Sequence, residues 1–373
     1  MQLTDLPTPS VLIENSRVDR NLARMQAATS ARGLRLRPHA KTHKSIVMAR
    51  RQIAAGAVGI CCAKLGEAEV FADAGIEDIR LPYPLNPVNA PRVIALLDRT
   101  RLSFIVDHMD VARGWSEAMT RAGREVDVLV KVDVGFHRCG IDPDASGAAA
   151  FVAAVAKLPG LRLRGLLSHA GHGYGARSPE EMAEIAASEA ETLTSLASKV
   201  RAGGIEVAEI SVGATPTARF SVDQPGITEM RPGNYIYFDR TQVALGAAGW
   251  EDCALTVLAR VVTRPAEDRV ILDCGGKTMT TDQARGWGET QGYGSVLQGI
   301  RGSAPDASLV VERLSEEHAN VRVVGQSRLQ PGDLVRVVPN HSCVVSNLVD
   351  AAWLVDGDRV VERLDVSARG RIT

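Results

Sequence analysis

The chain has 373 residues, 45% of them hydrophobic and 23% charged, which is enough to bury a barrel-sized core and a second domain. Lys plus Arg at 43 against Asp plus Glu at 44 leave a formal charge of -1, so no basic excess invites nucleic acid or an anionic membrane surface. No apolar run of about 18 residues offers a membrane span. The opening MQLTDLPTPSVLIEN has neither the basic start nor the apolar stretch of a signal peptide. Cysteines at 61, 62, 139, 253, 274 and 343 form no CxxC pair and read as reduced thiols of a cytoplasmic protein.

In chain order, a short strand at 10–13 and a long helix at 18–31 come first. Short β-branched runs then alternate with Ala-rich amphipathic stretches, with Gly or Pro at the joins. Strands are predicted at 34–41, 57–63, 78–82, 102–106, 127–133, 163–168, 207–212 and 227–238. Helices are predicted between them at 45–55, 65–74, 91–98, 111–122, 145–157 and 179–202. Eight such strands over roughly 200 residues fit a (β/α)₈ TIM-type barrel better than an open sheet. After about residue 245 the rhythm changes to strands with little helix between them, at 255–262, 269–273, 308–314, 321–324, 334–338, 351–355 and 359–364. The expected organisation is therefore a barrel over 14–245 and a C-terminal mostly-β domain over 246–373, with residues 1–13 joining the latter.

In such barrels reactive side chains stand at the C-terminal ends of the strands. Six of the eight histidines fall there: His39, His43, His108, His137, His169 and His172. Lys41 follows the first apolar strand in RPHAKTHK, where a lysine that loses its charge by desolvation can form a Schiff base with an aldehyde cofactor. Lys44 reads as a solvated surface lysine. Two turns at adjacent late strands, SVGATPT and MRPGNYIYFD, suit a phosphate: backbone N–H groups at Gly213, Ala214 and Asn234 and the Thr215 hydroxyl would face a dianion. In VVPNHSCVVSNL, His341 and Cys343 are one residue apart, so on an extended strand they share a face. Imidazole with thiolate suits zinc, and two ligands leave positions open for substrate. Taken alone, an HxC is more often a buried cysteine beside a capping histidine.

Together these segments resemble the D-serine dehydratase and D-threonine aldolase family, within the alanine-racemase-like, fold type III class of pyridoxal-phosphate enzymes. The likeness runs from TPSVLIE through RPHAKTHK, GICCAKLGEAE, VDVGFHRCG, SHAGHGYG, SVGATPT, MRPGNYIYFD, SEEH and PNHSC to VSARGR. The resemblance implies that Lys41 carries pyridoxal 5'-phosphate and that Arg138 meets the ring's phenolic oxygen. It places the phosphate at Gly213–Thr215 and Gly233–Asn234, and Arg231 at the pyridine nitrogen. His341 and Cys343 become the ligands of a divalent metal, zinc before manganese. Tyr174 joins the cofactor set, and with Tyr235, Tyr293 and His318 it is a further candidate for the substrate carboxylate or the metal's surroundings.

The implied activity is that of a lyase on D-3-hydroxy amino acids. In the dehydratase form the metal helps the 3-hydroxyl leave, yielding a keto acid and ammonia from D-serine, D-threonine or 3-hydroxy-D-aspartate. In the aldolase form a base such as His169 takes the hydroxyl proton, and the products are glycine and an aldehyde. His341-Ser342-Cys343 and HAGHGY resemble the dehydratases, whereas VERLDVSARGR is similar to the aldolase ending. An amino-acid racemase, with Tyr293 as a second base, and a non-enzymatic cofactor-binding protein are lesser alternatives. The expected partner is a second copy of the chain in a head-to-tail homodimer, with His341 and Cys343 facing the partner's barrel.

Overall fold

Every one of residues 1–373 is described in the structure, a computed structural model. The chain opens with strand β1 (Ser10–Glu14) and a helix at Asn15–Ser30. Eight strands follow: β2 (Arg35–Leu36), β3 (Ile60–Cys61), β4 (Asp78–Pro84), β5 (Arg101–Val106), β6 (Val126–Lys131), β7 (Leu161–Leu167), β8 (Glu209–Val212) and β9 (Glu229–Met230). They lie parallel in the order β2-β9-β8-β7-β6-β5-β4-β3. The sheet closes between its ends, where Val58 N–H donates to Leu36 C=O (2.9 Å) and Cys61 N–H to Pro38 C=O (2.8 Å). A closed parallel sheet has no free edge, and its apolar strands bury both faces, as the unbroken burial of β5 and β6 from Leu102 to Lys131 reflects.

Helices return each strand to the next. The longest, Pro179–Ala202, begins with Ser178 accepting Glu181 N–H and with Glu180 and Glu181 in its first turn, where the helix dipole favours acids. The barrel's apolar core includes Phe71, Phe104, Trp115 and Met230.

The predicted first and last barrel strands are far shorter than expected. Each run of extended residues contains a proline, Pro38 and Pro232, that has no N–H to donate, so the ladder stops at Leu36 and at Met230. The chain continues into single 3₁₀ turns, Ala40–Thr42 and Asn234–Ile236, and these carry Lys41 and Asn234 to the rim.

Strands β10 (Leu255–Ala266), β11 (Arg269–Leu272), β12 (Ser295–Val296), β13 (Leu309–Leu314), β14 (Ala319–Val323), β15 (Leu334–Val338), β16 (Ala351–Asp356) and β17 (Arg359–Asp365) form the second sheet. The order β13-β14-β11-β10-β1-β16-β17 places β1 between β10 and β16, so the first strand of the chain belongs to the second sheet. Its core, with Val257, Val321, Val337 and Leu354, is contiguous with Tyr235 and Ile236 below the barrel's last turn. After β17 the chain returns to the barrel, and Ala368 N–H donates to Lys44 C=O. No helix is long and apolar enough to cross a membrane.

Candidate active site

A cavity lies above the C-terminal ends of the strands. Lys41, on the turn after β2, reaches into it, as do His169 after β7 and Arg138 and Tyr174 from the loops beyond β6 and β7. Gly213, Ala214 and Thr215 after β8, with Arg231, Gly233 and Asn234 after β9, line a second wall. His341 and Cys343 complete it from the second sheet. Lys41, His169, the cofactor set and the His341–Cys343 pair thus meet in one space. His39, one of the strand-end histidines, lines it as well, and so do Lys131 and Pro82, which the sequence did not single out.

The wall after β8 and β9 suits a phosphate. The N–H groups of Gly213, Ala214, Thr215, Gly233 and Asn234 donate to no carbonyl of the chain. Gly213 is held at φ +154°, and a Cβ there would stand 2.7 Å from Arg231 N. At Gly233 a Cβ would meet His39 Cβ at 3.0 Å. Backbone this closely apposed, with unspent donors facing a cavity, fits an anionic group. The buried Oδ1 of Asn234 is also without a partner. Arg231 is clamped below, its Nη1 donating to Ser211 Oγ at 2.6 Å and its Nη2 to Ser168 C=O.

His169 donates from Nδ1 to Gly213 C=O at 2.7 Å, which leaves Nε2 as the acceptor. Burial, with Lys131 and Lys41 close by, holds this imidazole well below its ordinary value and therefore neutral. Lys131, the last residue of β6, is 3% exposed, and burial with Arg231 repulsion pushes its ammonium down to about 7. Tyr174 receives a hydrogen bond from Gln242 Nε2 at 3.3 Å.

His341 and Cys343 are not on a strand. Pro339 and Asn340 end β15, His341 is the N-cap of a helix at Ser342–Leu348, and Cys343 lies in that helix's first turn. Both reach the cavity: Cys343 Sγ is 3.1 Å from Thr42 Oγ1 and 3.5 Å from Asn234 Nδ2. His341 Nδ1 is 2.6 Å from Asp282 Oδ2. Burial pushes the Cys343 thiol up, yet the hydrogen bond from His341 and the charge of Lys41 leave it below its ordinary value. Burial likewise opposes the His341 cation, but Cys343, Asp239 and Asp282 raise it to about 10. A thiolate and an imidazole steadied by a carboxylate are the donor set of a soft divalent-metal site. No group of three or more such side chains converges anywhere in the chain.

Three of the other histidines expected at the rim do structural work. His43 is buried, accepting Ser45 N–H at 3.0 Å and lying 3.1 Å from Gln52 Oε1. His108 caps the helix at Met109–Arg121, and His137 pairs with Asp133 at 3.0 Å. His172 is half-buried, with Nδ1 unpartnered. His318 is exposed on the second sheet, Tyr293 packs against that sheet's core, and Tyr235 is buried against Gln52. Lys44 is not solvated: it is 6% exposed and pairs with Glu67 at 3.1 Å.

Residues 13–241 match the family model described as "Alanine racemase, N-terminal domain", and 254–355 match "Putative serine dehydratase domain". The chain is similar to a D-threonine aldolase of Arthrobacter sp, at 35% identity over 99% of this chain and 94% of the relative. It is 34% identical to the D-threo-3-hydroxyaspartate dehydratase of Delftia sp. (strain HT23), over 96% of this chain and 97% of that one. The solved structure of that dehydratase superposes with a TM-score of 0.90, covering 98% of each chain at 32% identity. A cysteine-to-alanine variant of it in a metal-free form superposes at 0.92, with 98% of each chain covered.

Proposed function

Because the chain belongs to the alanine-racemase-like, fold type III family of pyridoxal-phosphate enzymes that includes D-serine dehydratases and D-threonine aldolases, we propose that it is a lyase of D-3-hydroxy amino acids using pyridoxal phosphate and a divalent metal. The favoured reaction is dehydration to a keto acid and ammonia. The observation that carries the reading is the convergence of Lys41, the His341–Cys343 pair and the unspent amides after β8 and β9 on one cavity.

Bound in that cavity, pyridoxal phosphate supplies an electron sink that acidifies the Cα–H of an amino acid joined to it. A divalent ion on His341 and Cys343 would polarise the substrate's 3-hydroxyl, and zinc suits the soft Cys343 sulfur better than manganese. Gly213, Ala214, Thr215, Gly233 and Asn234 hold the phosphate. Arg231, with donors only, leaves the ring nitrogen unprotonated, and Arg138 is the candidate for the ring's phenolic oxygen. The Lys41 amine takes the Cα proton on its face of the site. Neutral His169 offers Nε2 as an acceptor for the 3-hydroxyl proton in the aldol outcome, whereas in dehydration the leaving hydroxyl takes up the proton that Lys41 removed from Cα and departs as water.

The retro-aldol outcome uses the same residues, and the identity to a named D-threonine aldolase keeps it as the second reading. The barrel over 14–245 holds the cofactor in this account, and the sheet over 246–373 with 1–13 brings the metal pair. A cytoplasmic homodimer is the expected setting, consistent with six free cysteines. The test is product analysis on D-threonine with cofactor and added metal. 2-Oxobutyrate with ammonia means dehydration, glycine with acetaldehyde means aldol cleavage, and neither product sinks the proposal. Turnover should also fall at least tenfold after chelation and return with zinc; insensitivity to EDTA would remove the metal from the account.

A further inference from the structure

The proposed reaction needs Lys41 at Cα and the His341–Cys343 pair at the 3-hydroxyl of one substrate, yet the two stand on different parts of the fold. Lys41 sits on the turn after β2, and the metal pair opens a helix that follows β15. An error of about an ångström between them would cost the alignment that the chemistry depends on. The motif VSARGR, residues 366–371, lines no part of the cavity. It follows β17, and it bonds to both halves of the site.

Towards the barrel, Ala368 N–H donates to Lys44 C=O at 2.9 Å, and Ser367 Oγ accepts Ile46 N–H at 3.4 Å. Ala368 is fully buried in the barrel's apolar core. Lys44 N–H donates in turn to Ala40 C=O at 2.8 Å, so the carbonyl held by Ala368 belongs to the turn that presents Lys41. Lys44 has φ +47°, a left-handed conformation that a residue with a Cβ keeps only when its surroundings hold it there. Towards the metal pair, Arg369 Nε donates to Asn347 C=O and Nη2 to Leu348 C=O, both at 3.3 Å. These are the last carbonyls of the helix at Ser342–Leu348, which has no basic residue in its own last turn. Arg369 Nη1 also pairs with Asp350, whose C=O accepts Val366 N–H at 2.9 Å. That ion pair is exposed and contributes little by itself; the two carbonyl bonds are what grip the helix.

We propose that residues 366–369 form a strap that holds the metal-bearing helix in register with the Lys41 turn, and that Arg369 is a positioning residue of the metal site. Arg369 touches neither substrate nor cofactor; it acts through the helix that carries Cys343. The proposal rests on the lyase reading above and adds the element that aligns its two halves. Groups that fix metal ligands from behind are typically worth about 10- to 100-fold in metal affinity. The phosphate wall after β8 and β9 has no bond to the strap, so releasing Arg369 loosens the metal pair and leaves the cofactor's main anchor in place.

The test measures two affinities on the full chain, for the wild type, Arg369→Met and Arg369→Lys. Zinc binding to the cofactor-loaded protein is read by chelator competition, and pyridoxal phosphate binding to the metal-free protein by absorbance titration. Arg369→Met should weaken zinc about tenfold and the cofactor by less than about twofold. Arg369→Lys, which can reach one of the two carbonyls, should recover about threefold of the zinc loss. A variant that merely loosened the fold would weaken both ligands alike. Equal weakening of the two, or unchanged zinc affinity, would overturn the assignment. If the wild type binds no zinc, the metal reading is what has failed, and amide hydrogen exchange then decides the strap. Exchange about tenfold faster in Arg369→Met at both 342–350 and 40–46 supports it, and any other pattern refutes it.

Discussion

The two ends of the barrel carry similar charges and use them in opposite ways. At the floor, Asp78, Glu209 and Glu229 are the first residues of β4, β8 and β9, and they face Arg37, just beyond β2, and Arg80, inside β4. Arg37 Nε meets Glu229 at 2.9 Å, Arg80 Nη2 meets Glu209 at 2.8 Å, and further pairs join Arg37 to Asp78 and Arg80 to Glu229. Burial pushes the Glu229 carboxyl up, but the two arginines bring it down to about 2. At the rim, Lys41 and Arg138 face a cavity with no carboxylate paired to them, and Lys131 is buried beside them with its charge discouraged. A closed set of charges fixes structure. An open set, supplied by the same fold, waits for an anion and an aldehyde.

Breaking each end should therefore give different failures. Lys41→Ala is expected to cut turnover by about 10⁴-fold or more, with the thermal midpoint moved by only a few degrees; steady-state rates and calorimetry check both. Arg80→Met strips the floor of one cation and leaves Glu229 and Glu209 undercompensated, so a loss of about 3–5 kcal/mol is expected in urea unfolding. If cofactor affinity falls in Arg80→Met by as much as stability does, the two ends are not separable.

A subtler test lies behind Lys41. Buried His43 is neutral, with a value lowered to about 4 by burial against its ordinary 6.5. Between those two values the folded chain binds fewer protons than the unfolded one. Stability present above pH 6.5 is thus lost as the pH falls towards 4, by about 3 kcal/mol. His43→Gln should flatten that part of the stability–pH curve by about one proton, and identical slopes for the two proteins would contradict the assignment. The smallest effect is expected at the phosphate wall: Gly213→Ala should weaken cofactor binding about tenfold by displacing Arg231 N, measured by cofactor titration.

Sequence was informative where one signal sufficed. Alternating strands and helices indicate a barrel, and the GATP and GNY turns read as anion sites because glycine beside unspent amides is a local property. Where geometry depends on distant chain, the signals failed. The HxC pair was read as a strand, because nothing in VVPNHSC states that Pro339 ends one element and His341 begins another. Lys44 read as solvated because its partner Glu67 lies on a different helix. Lys131 ends the run VDVLVK just as Lys41 follows RLRPHA, so the same local signal marks both lysines. Residues 281–285 have no period and no motif, and only folding brings Asp282 to His341.

The account stands on which lysine bonds the cofactor. Three lysines lie close in the fold: Lys41 at the rim, Lys131 buried beside it, and Lys44 paired with Glu67. Borohydride reduction of the cofactor-loaded protein, followed by peptide mass mapping, would fix the link covalently. The pyridoxyl group should be found on Lys41, and finding it on Lys131 or Lys44, or on no lysine at all, would contradict the assignment.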